Sequence, residues 1–414
     1  MFSLDKVILH VDCNKFFASV ECATNPEYAT LPVAVSGNPD SRHGIILAAN
    51  QKASLYRIKT AEPIWQAKIK CPELILVPPH YSLYEEYSHL FRAICAEYSD
   101  QIEPFGIDEC WIDISANIGN RRDGELVAYE LKERIKAELG LTVSIGVSFN
   151  KVFAKLGSDY KKPDAVTIIS RENFKKIVWP LSVDNLLYVG SSTKKKLLGR
   201  GVFTIKDLVN MGAESLELLL GKQGLLLYDI ALGNGCDDVG FYDEKKQIKS
   251  ISNSTTTSRD LADLEDVKLI LTLLADSVSM RLREKNLYCK TISISIKDSS
   301  LRSLTRQQTL NSPTSLSSVL TNTAMQLVTE NLTEPYSIRS IGIAACDLCS
   351  DTETLQMNLF DEVSINEKQE HLEKTVDSLK SRYGLKCIKK ASVLMNKNLG
   401  NLKEENIISF NSGL

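Results

Sequence analysis

The sequence predicts an α+β fold built from several domains, and three observations carry that prediction. A strand–helix–strand–hairpin–helix–strand order runs through residues 7–148, and a β-α-β-β-α-β order returns over 250–344. Between them, residues 181–211 hold a turn glycine, a helix, a second glycine and the start of another helix. A charged, non-periodic stretch, Asp243-Glu244-Lys245-Lys246-Gln247-Ile248-Lys249, reads as a linker. At 414 residues the chain has room for two to four domains, each with its own core.

Each element follows from its local pattern. Val7-Ile8-Leu9-His10-Val11 is a buried strand with Asp12 at its end, and Cys13-Asn14-Lys15-Phe16-Phe17 opens a helix. Residues 32–37 and 45–50 are short strands around a polar turn. A helix runs from Gln51 toward Ile58, and Glu62-Pro63 opens another through Ile69. Residues 71–79 hold a strand between turn signals. Tyr84, Tyr87, Leu90, Phe91, Ile94 and Tyr98 recur at helical spacing and read as core. Residues 104–115 form a hairpin in which Gly106 precedes an adjacent Asp108-Glu109 pair. A helix over 123–139 ends at Gly140, and Val143-Ser144-Ile145-Gly146-Val147 is a β-branched strand. The helix expected from Asn150 to Pro163 follows what reads as the last strand of this sheet.

The middle block contains Gly190, then Thr193-Lys194-Lys195-Lys196-Leu197-Leu198, then Arg200-Gly201-Val202. This spacing resembles a helix-hairpin-helix, a turn whose backbone N–H groups hold a DNA phosphate without reading sequence. In the last block, residues 255–259, 290–297 and 338–344 read as strands, and 264–285 and 316–331 as helices. The stretch around Leu301 does not alternate cleanly, but Arg302, Thr305 and Arg306 keep it basic and hydroxyl-rich. A final helical stretch spans about 367–383.

Net charge is −3, which does not advertise a nucleic-acid partner. Distribution says more: from Arg281 to Arg306 seven basic residues face two acidic ones, so a basic face coexists with an acidic total. The ten cysteines lack framework spacing, which fits a reducing compartment. Cys346 and Cys349 have no second pair with which to hold zinc. No uncharged apolar run reaches the roughly eighteen residues a membrane span needs, and the N-terminus lacks a signal-peptide pattern. The expected location is the cytoplasm, with no membrane partner.

The chemistry centres on carboxylates. Adjacent Asp108 and Glu109 are costly neighbours unless a cation lies between them, and Mg²⁺ is the usual cation for hard oxygen ligands. Asp12 sits at a strand end before a helix N-terminus, a place suited to a metal-bound triphosphate. Together Asp12, Asp108 and Glu109 suit two metal ions and an in-line phosphoryl displacement.

Val11-Asp12-Cys13-Asn14-Lys15-Phe16-Phe17-Ala18-Ser19-Val20-Glu21, taken with Gly106-Ile107-Asp108-Glu109, resembles the Y-family translesion DNA polymerases. Among their branches the chain looks most like the bacterial UmuC type of Gram-positive chromosomes, plasmids and phages. The resemblance covers residues from about 5 to 360. It implies a right-hand arrangement: a ferredoxin-like palm (1–30 and 75–178), small fingers (31–74), a helical helix-hairpin-helix thumb (179–242), a linker (243–249) and a β-α-β-β-α-β little finger (250–349). A C-terminal tail (350–414) follows.

The same resemblance implies site roles. Asp12, Asp108 and Glu109, with the backbone carbonyl of Cys13, would hold two Mg²⁺. Phe16, Phe17, Arg57 and Lys162 would meet the nucleotide, with Phe17 as the steric gate against a 2′-OH, although Phe16 also reads as core. Gly190, Lys194, Lys195, Arg302 and Arg306 would contact DNA. Gln356, Leu359 and Phe360 resemble the bacterial sliding-clamp-binding peptide. The implied partners are primer–template DNA, dNTPs, the sliding clamp and SOS accessory proteins, and the implied place is the nucleoid-associated cytoplasm.

The sequence departs from the family in three places. Ser54 stands where relatives carry the basic residue that grips the triphosphate, so Arg57, Arg42 or Lys52 is the candidate replacement. Gln51 stands where many carry Tyr. Gly106 stands where Ser is frequent. These departures leave an alternative open, a polymerase-like scaffold, catalytically weak or inactive, that binds DNA and the clamp. Nucleotide cyclases share the palm carboxylates but have no use for a thumb, little finger and clamp peptide.

Overall fold

The structure, a computed structural model, describes residues 6–39, 44–117, 121–235, 238–242, 247–332, 336–350, 363–385 and 387–391. The clamp-like residues Gln356, Leu359 and Phe360 lie outside these, as does Arg42. The described residues up to 242 form one compact unit and those from 247 a second.

The first unit is organised by β1 (Ile8–Cys13), buried along its whole length. It leads through a sharp turn into α1 (Phe16–Thr24). A small subdomain follows, made of β2 (Val33–Ser36), β3 (Ile46–Ala49), α2 (Gln51–Ser54), α3 (Ile64–Lys70) and β4 (Ile75–Val77). Its three strands run in the order β3-β2-β4 over a separate core containing Ile46, Ile58, Ile64 and Leu74. The helix expected from Gln51 toward Ile58 stops at Ser54. Arg57 has φ 58, a left-handed conformation that a right-handed helix cannot include.

Next come α4 (Tyr81–Ala96), β5 (Ile102–Pro104), β6 (Glu109–Asp113), α5 (Arg121–Leu139), β7 (Val143–Ser148), α6 (Lys151–Tyr160) and β8 (Val166–Ile169). The sheet order is β5-β6-β1-β7-β8, and its first four strands have ferredoxin-like topology. Strand β7 is therefore not the last: β8 adds to it in parallel, with Ile145 opposite Val166. One face packs Leu9, Val11 and Ile112 against Tyr84 and Phe91 of α4 and Leu131 and Ile135 of α5. The other face carries α6, with Ile8, Trp111 and Ala154 together.

Helix α6 lies unusually close to the sheet because two glycines meet there. A Cβ on Gly146 would sit 1.8 Å from the Ala154 carbonyl oxygen, and one on Gly157 would sit 3.0 Å from the Gly146 Cα. Any side chain at Gly146 would push the helix away. Helices α7 (Phe174–Ile177), α8 (Ser191–Leu198), α9 (Ile205–Met211), α10 (Ala213–Leu220) and α11 (Lys222–Ala231) close the unit. They share one apolar core with Phe149, Phe153 and Leu156 of the palm. Helix α9 starts with a capping box in which Thr204 accepts from the Asp207 N–H and Asp207 from the Thr204 N–H.

The second unit is a four-stranded antiparallel sheet in the order β11-β10-β12-β9. The strands are β9 (Ser250–Leu261), β10 (Leu287–Asp298), β11 (Ser303–Thr314) and β12 (Ile338–Ser350). Helices α12 (Leu264–Glu284) and α13 (Ser317–Asn331) cover one face, burying Ile292, Ile294, Ile341 and Ile343. The strands are longer than the sequence pattern indicated. Edge strand β11 is largely exposed, so it lacks the buried stripe that makes a strand alternate. Helix α14 (Val363–Tyr383) is held to this unit by polar contacts, with Arg283 donating to Glu373 and, at 2.6 Å, to Asp377.

Candidate polymerase active site

The turn after β1 brings the predicted carboxylates together. Asp12 is registered opposite Glu109 across β1 and β6. The Cys13 N–H donates to the Asp108 carbonyl at 2.9 Å, so all three acidic residues lie at one end of the central strand pair. The hairpin carrying Asp108 and Glu109 is fixed from α4, where Arg92 Nη2 donates to the Gly106 carbonyl at 2.9 Å and Ser88 to that of Ile107. Gly106 fits because a Cβ there would already lie 3.3 Å from Asp108 Oδ1.

Helix α6 supplies the cations. Lys155 Nζ lies 2.6 Å from Glu109 Oε2, and Lys162, just beyond the helix, lies 2.7 Å from Asp12 Oδ2 and 2.7 Å from Asp159. His10, paired with Gly146 in the β1–β7 register, is fully buried beneath them. Its Nδ1 meets Ser158 Oγ at 2.9 Å, while Nε2 is buried, without a hydrogen-bond partner among the described residues, 3.4 Å from Glu109 Oε2. The close approach at Gly146 and Gly157 is what brings Ser158 and Lys155 within reach of β1 and β6.

Burial dominates the electrostatics. Desolvation pushes the Asp12 carboxyl up to about 6, against the opposing pull of Lys162, and Glu109 adds to the rise. Asp108 is also pushed up to about 6, by burial first and by Asp12 second. Burial, then Lys155 and Lys162, holds His10 well below its usual range, so it is neutral. Burial is what disfavours the ionised carboxylates here, and a cation between them would favour that form.

The residues fit a divalent ion. Ligand atoms of His10, Asp12 and Glu109 lie within 4.8 Å of one another, and the unpartnered Nε2 adjoins them. Asp108 falls outside that trio, although the Cys13–Asp108 backbone bond keeps it beside Asp12. The sequence reading missed His10 and Lys155. Histidine in a buried strand and lysine in a helix carry no signal of their own until β1, β6 and α6 are assembled.

The remaining expected residues are dispersed. Phe17 is half-buried and stacks on Tyr84, with ring centroids 4.4 Å apart and planes 15° from parallel. Phe16 is buried in the palm core at 3% exposure, so its ring is not available to a nucleotide. Arg57 is exposed on the fingers, and among the described residues it forms no ion pair with the carboxylates. Gly190 caps α8, Lys195 is exposed, and Lys194 is paired with Asp184 at 2.5 Å. In the second unit Arg302 is exposed, whereas Arg306 donates to Asn331 of α13 at 2.8 Å. That sheet's uncovered face presents Ser252, Ser254, Thr256, Ser295 and Thr305 in cross-strand register, a hydroxyl-rich surface.

A ferredoxin-like palm with strand-end carboxylates, flanked by a small fingers subdomain and a helical thumb, is the architecture of a nucleotidyl-transferring polymerase. The impB/mucB/samB family matches residues 11–159, and its C-terminal domain matches residues 248–359. The DNA polymerase IV of Acetivibrio thermocellus is 44% identical over 96% of this chain and 100% of its own length. DNA polymerase IV 1 of Bacillus subtilis is 36% identical, over 94% and 93% respectively. A solved Y-family DNA polymerase chimera shares the fold with a TM-score of 0.74 and 24% identity, over 83% of this chain and 100% of that one.

The chain belongs to the Y-family of translesion DNA polymerases, within the impB/mucB/samB family. It is a DNA-directed DNA polymerase acting on primer–template DNA and dNTPs, and the scaffold alternative is not favoured. The UmuC-type branch is loosely consistent with these matches. Among the described residues, no helix is long and apolar enough to cross a membrane.

Proposed function

We propose that translesion synthesis by this chain runs on two Mg²⁺ ions held by Asp12, Asp108, Glu109 and the Cys13 carbonyl. The observation that carries the reading is the registration of Asp12 opposite Glu109, with Asp108 tied to the same turn through the Cys13 N–H. When bound, such a metal pair activates the primer 3′-OH and neutralises the triphosphate and the departing pyrophosphate. The chain's own residues position these groups. Lys162 gives up Asp12 to a metal and turns its ammonium to the triphosphate, and Lys155 does the same at Glu109. Phe17, held by Tyr84, lies under the sugar as the gate.

Primer–template is held by the backbone around Gly190, by Lys194 and Lys195 on the thumb, and by Arg302, Arg306 and the hydroxyl-rich sheet of the little finger. Arg57 serves the nucleotide only if the fingers bring it in. Gln356, Leu359 and Phe360 bind the sliding clamp, and the enzyme works at the nucleoid in the cytoplasm, in the SOS response and with its accessory proteins. Primer extension with Asp108→Ala and Glu109→Ala tests the core of this reading. Extension is expected to vanish while primer–template affinity stays within a few fold; retained extension would remove these residues from the metal site.

A further inference from the structure

Three lysines adjoin the acidic turn, and carboxylates match only two of them. Lys155 is paired with Glu109, and Lys162 with Asp12 and Asp159. The third, Lys15, lies in the turn that follows β1, three residues after Asp12 and immediately before α1. Its ammonium hydrogen-bonds the Ser54 hydroxyl and lies 3.4 Å from the Asn50 carbonyl, both neutral acceptors. Among the described residues no carboxylate pairs with it. The side chain is half-buried, and desolvation lowers its pKa. A cation drawn partly out of water without a counter-charge is unfavourable unless an anion arrives.

The ammonium is held in place on both sides. On its own side, the Asn14 N–H donates to the Thr142 carbonyl at 2.9 Å, and Ser144 Oγ donates to Asn14 Oδ1 at 2.9 Å. Lys15 itself takes φ 53, a left-handed conformation that a non-glycine residue adopts only where its surroundings hold it there. Across the gap, Ser54 Oγ donates to the Asn50 carbonyl at 3.0 Å, which turns its lone pairs toward Lys15. The Asn50 amide is fully engaged, donating to the Tyr28 and Leu31 carbonyls and accepting from the Val33 and Ala53 N–H groups. Two of the three ammonium donors are thereby used, and one remains for a ligand.

We propose that Lys15 is a further phosphate-binding residue of this polymerase, gripping the triphosphate of the incoming nucleotide from the β1–α1 turn with Ser54 as its seat. The proposal rests on the placement of metal and nucleotide at Asp12, Asp108 and Glu109. A triphosphate is favoured over a DNA phosphate because Lys15 follows Asp12 by three residues at the end of β1, and because a terminal phosphate carries the denser charge.

The test is steady-state single-nucleotide incorporation, with dNTP as the varied ligand, beside equilibrium primer–template binding. The proteins are the wild type, Lys15→Ala, Lys15→Ala with Ser54→Arg, and the Asp108→Ala control. Loss of one charge-assisted hydrogen bond predicts a dNTP KM raised about tenfold in Lys15→Ala, with kcat changed less than about threefold. Primer–template Kd should not change. Arginine at 54 places its charge where the Lys15 ammonium sits, and should recover most of the loss. An unchanged dNTP KM overturns the proposal, as does a loss confined to primer–template Kd, which would assign Lys15 to DNA. An Asp108→Ala enzyme as active as the wild type would overturn the metal-site reading instead.

Discussion

Asp12 and Glu109 face each other across β1 and β6, and each is held by a lysine from the α6 side of the sheet: Asp12 by Lys162 at 2.7 Å, Glu109 by Lys155 at 2.6 Å. The two ammonium groups sit against the carboxylates proposed to hold divalent cations, so metal binding there would compete with two internal ion pairs.

That competition sets a pH dependence. Asp12 and Asp108 each titrate at about 6 in the fold, above the ordinary carboxylate value of 3.8. The fold thus binds these protons more tightly than the unfolded chain. Their contribution to metal-free stability is present below the ordinary value and is lost as pH rises through about 6. Divalent ions need the ionised form, so their stabilisation should grow over the same window. Melting curves with Mg²⁺ and with chelator should nearly coincide at about pH 5 and separate by about pH 8. An equal gap at both would contradict the assignment.

Phe17 is backed by Tyr84, whose hydroxyl donates to Glu21 Oε1 at 2.5 Å. A ring so supported keeps its shape, as the proposed gate requires. Phe17→Ala should raise ribonucleotide use relative to deoxyribonucleotide use by roughly 10- to 100-fold. Competing rNTP and dNTP incorporation measures this, and unchanged sugar selection would place the gate elsewhere.

From α4 the acidic hairpin is held through its backbone carbonyls. Arg92 is 4% exposed and donates to Gly106 from α4. Arg92→Ala removes the donor to a part-buried carbonyl, a loss of about 1 kcal/mol. A lower melting temperature together with a reduced kcat is expected, and a kcat unchanged at permissive temperature would limit Arg92 to stability.

Much of this was legible in the sequence, for identifiable reasons. Asp12 at a strand end and the adjacent Asp108-Glu109 pair declare themselves because the signal is local. The palm's fifth strand was not legible, since Val166-Thr167-Ile168-Ile169 is four residues long and gains its meaning only by pairing with β7. Nor was the end of α2 at Ser54, where Arg57 turns left-handed in a stretch that reads as helix. The contacts of His10, Lys15 and Lys155 are invisible for a different reason. Each depends on a second element brought alongside, and for His10 and Lys155 that approach depends on Gly146 and Gly157 having no side chains.

The tail motif is open to a direct check. Replacing Leu359 and Phe360 by Ala should abolish clamp-stimulated synthesis and leave clamp-independent extension unchanged. Clamp binding that survives the double substitution would make the motif a coincidence.

Whether the three carboxylates hold the metal pair is answered most directly by counting Mn²⁺ ions by electron paramagnetic resonance, in a complex with dideoxy-terminated primer–template and dNTP. Two tightly bound ions per protein are expected for the wild type, and fewer for Asp12→Asn and Asp108→Asn. Full Mn²⁺ binding in both variants would contradict the account.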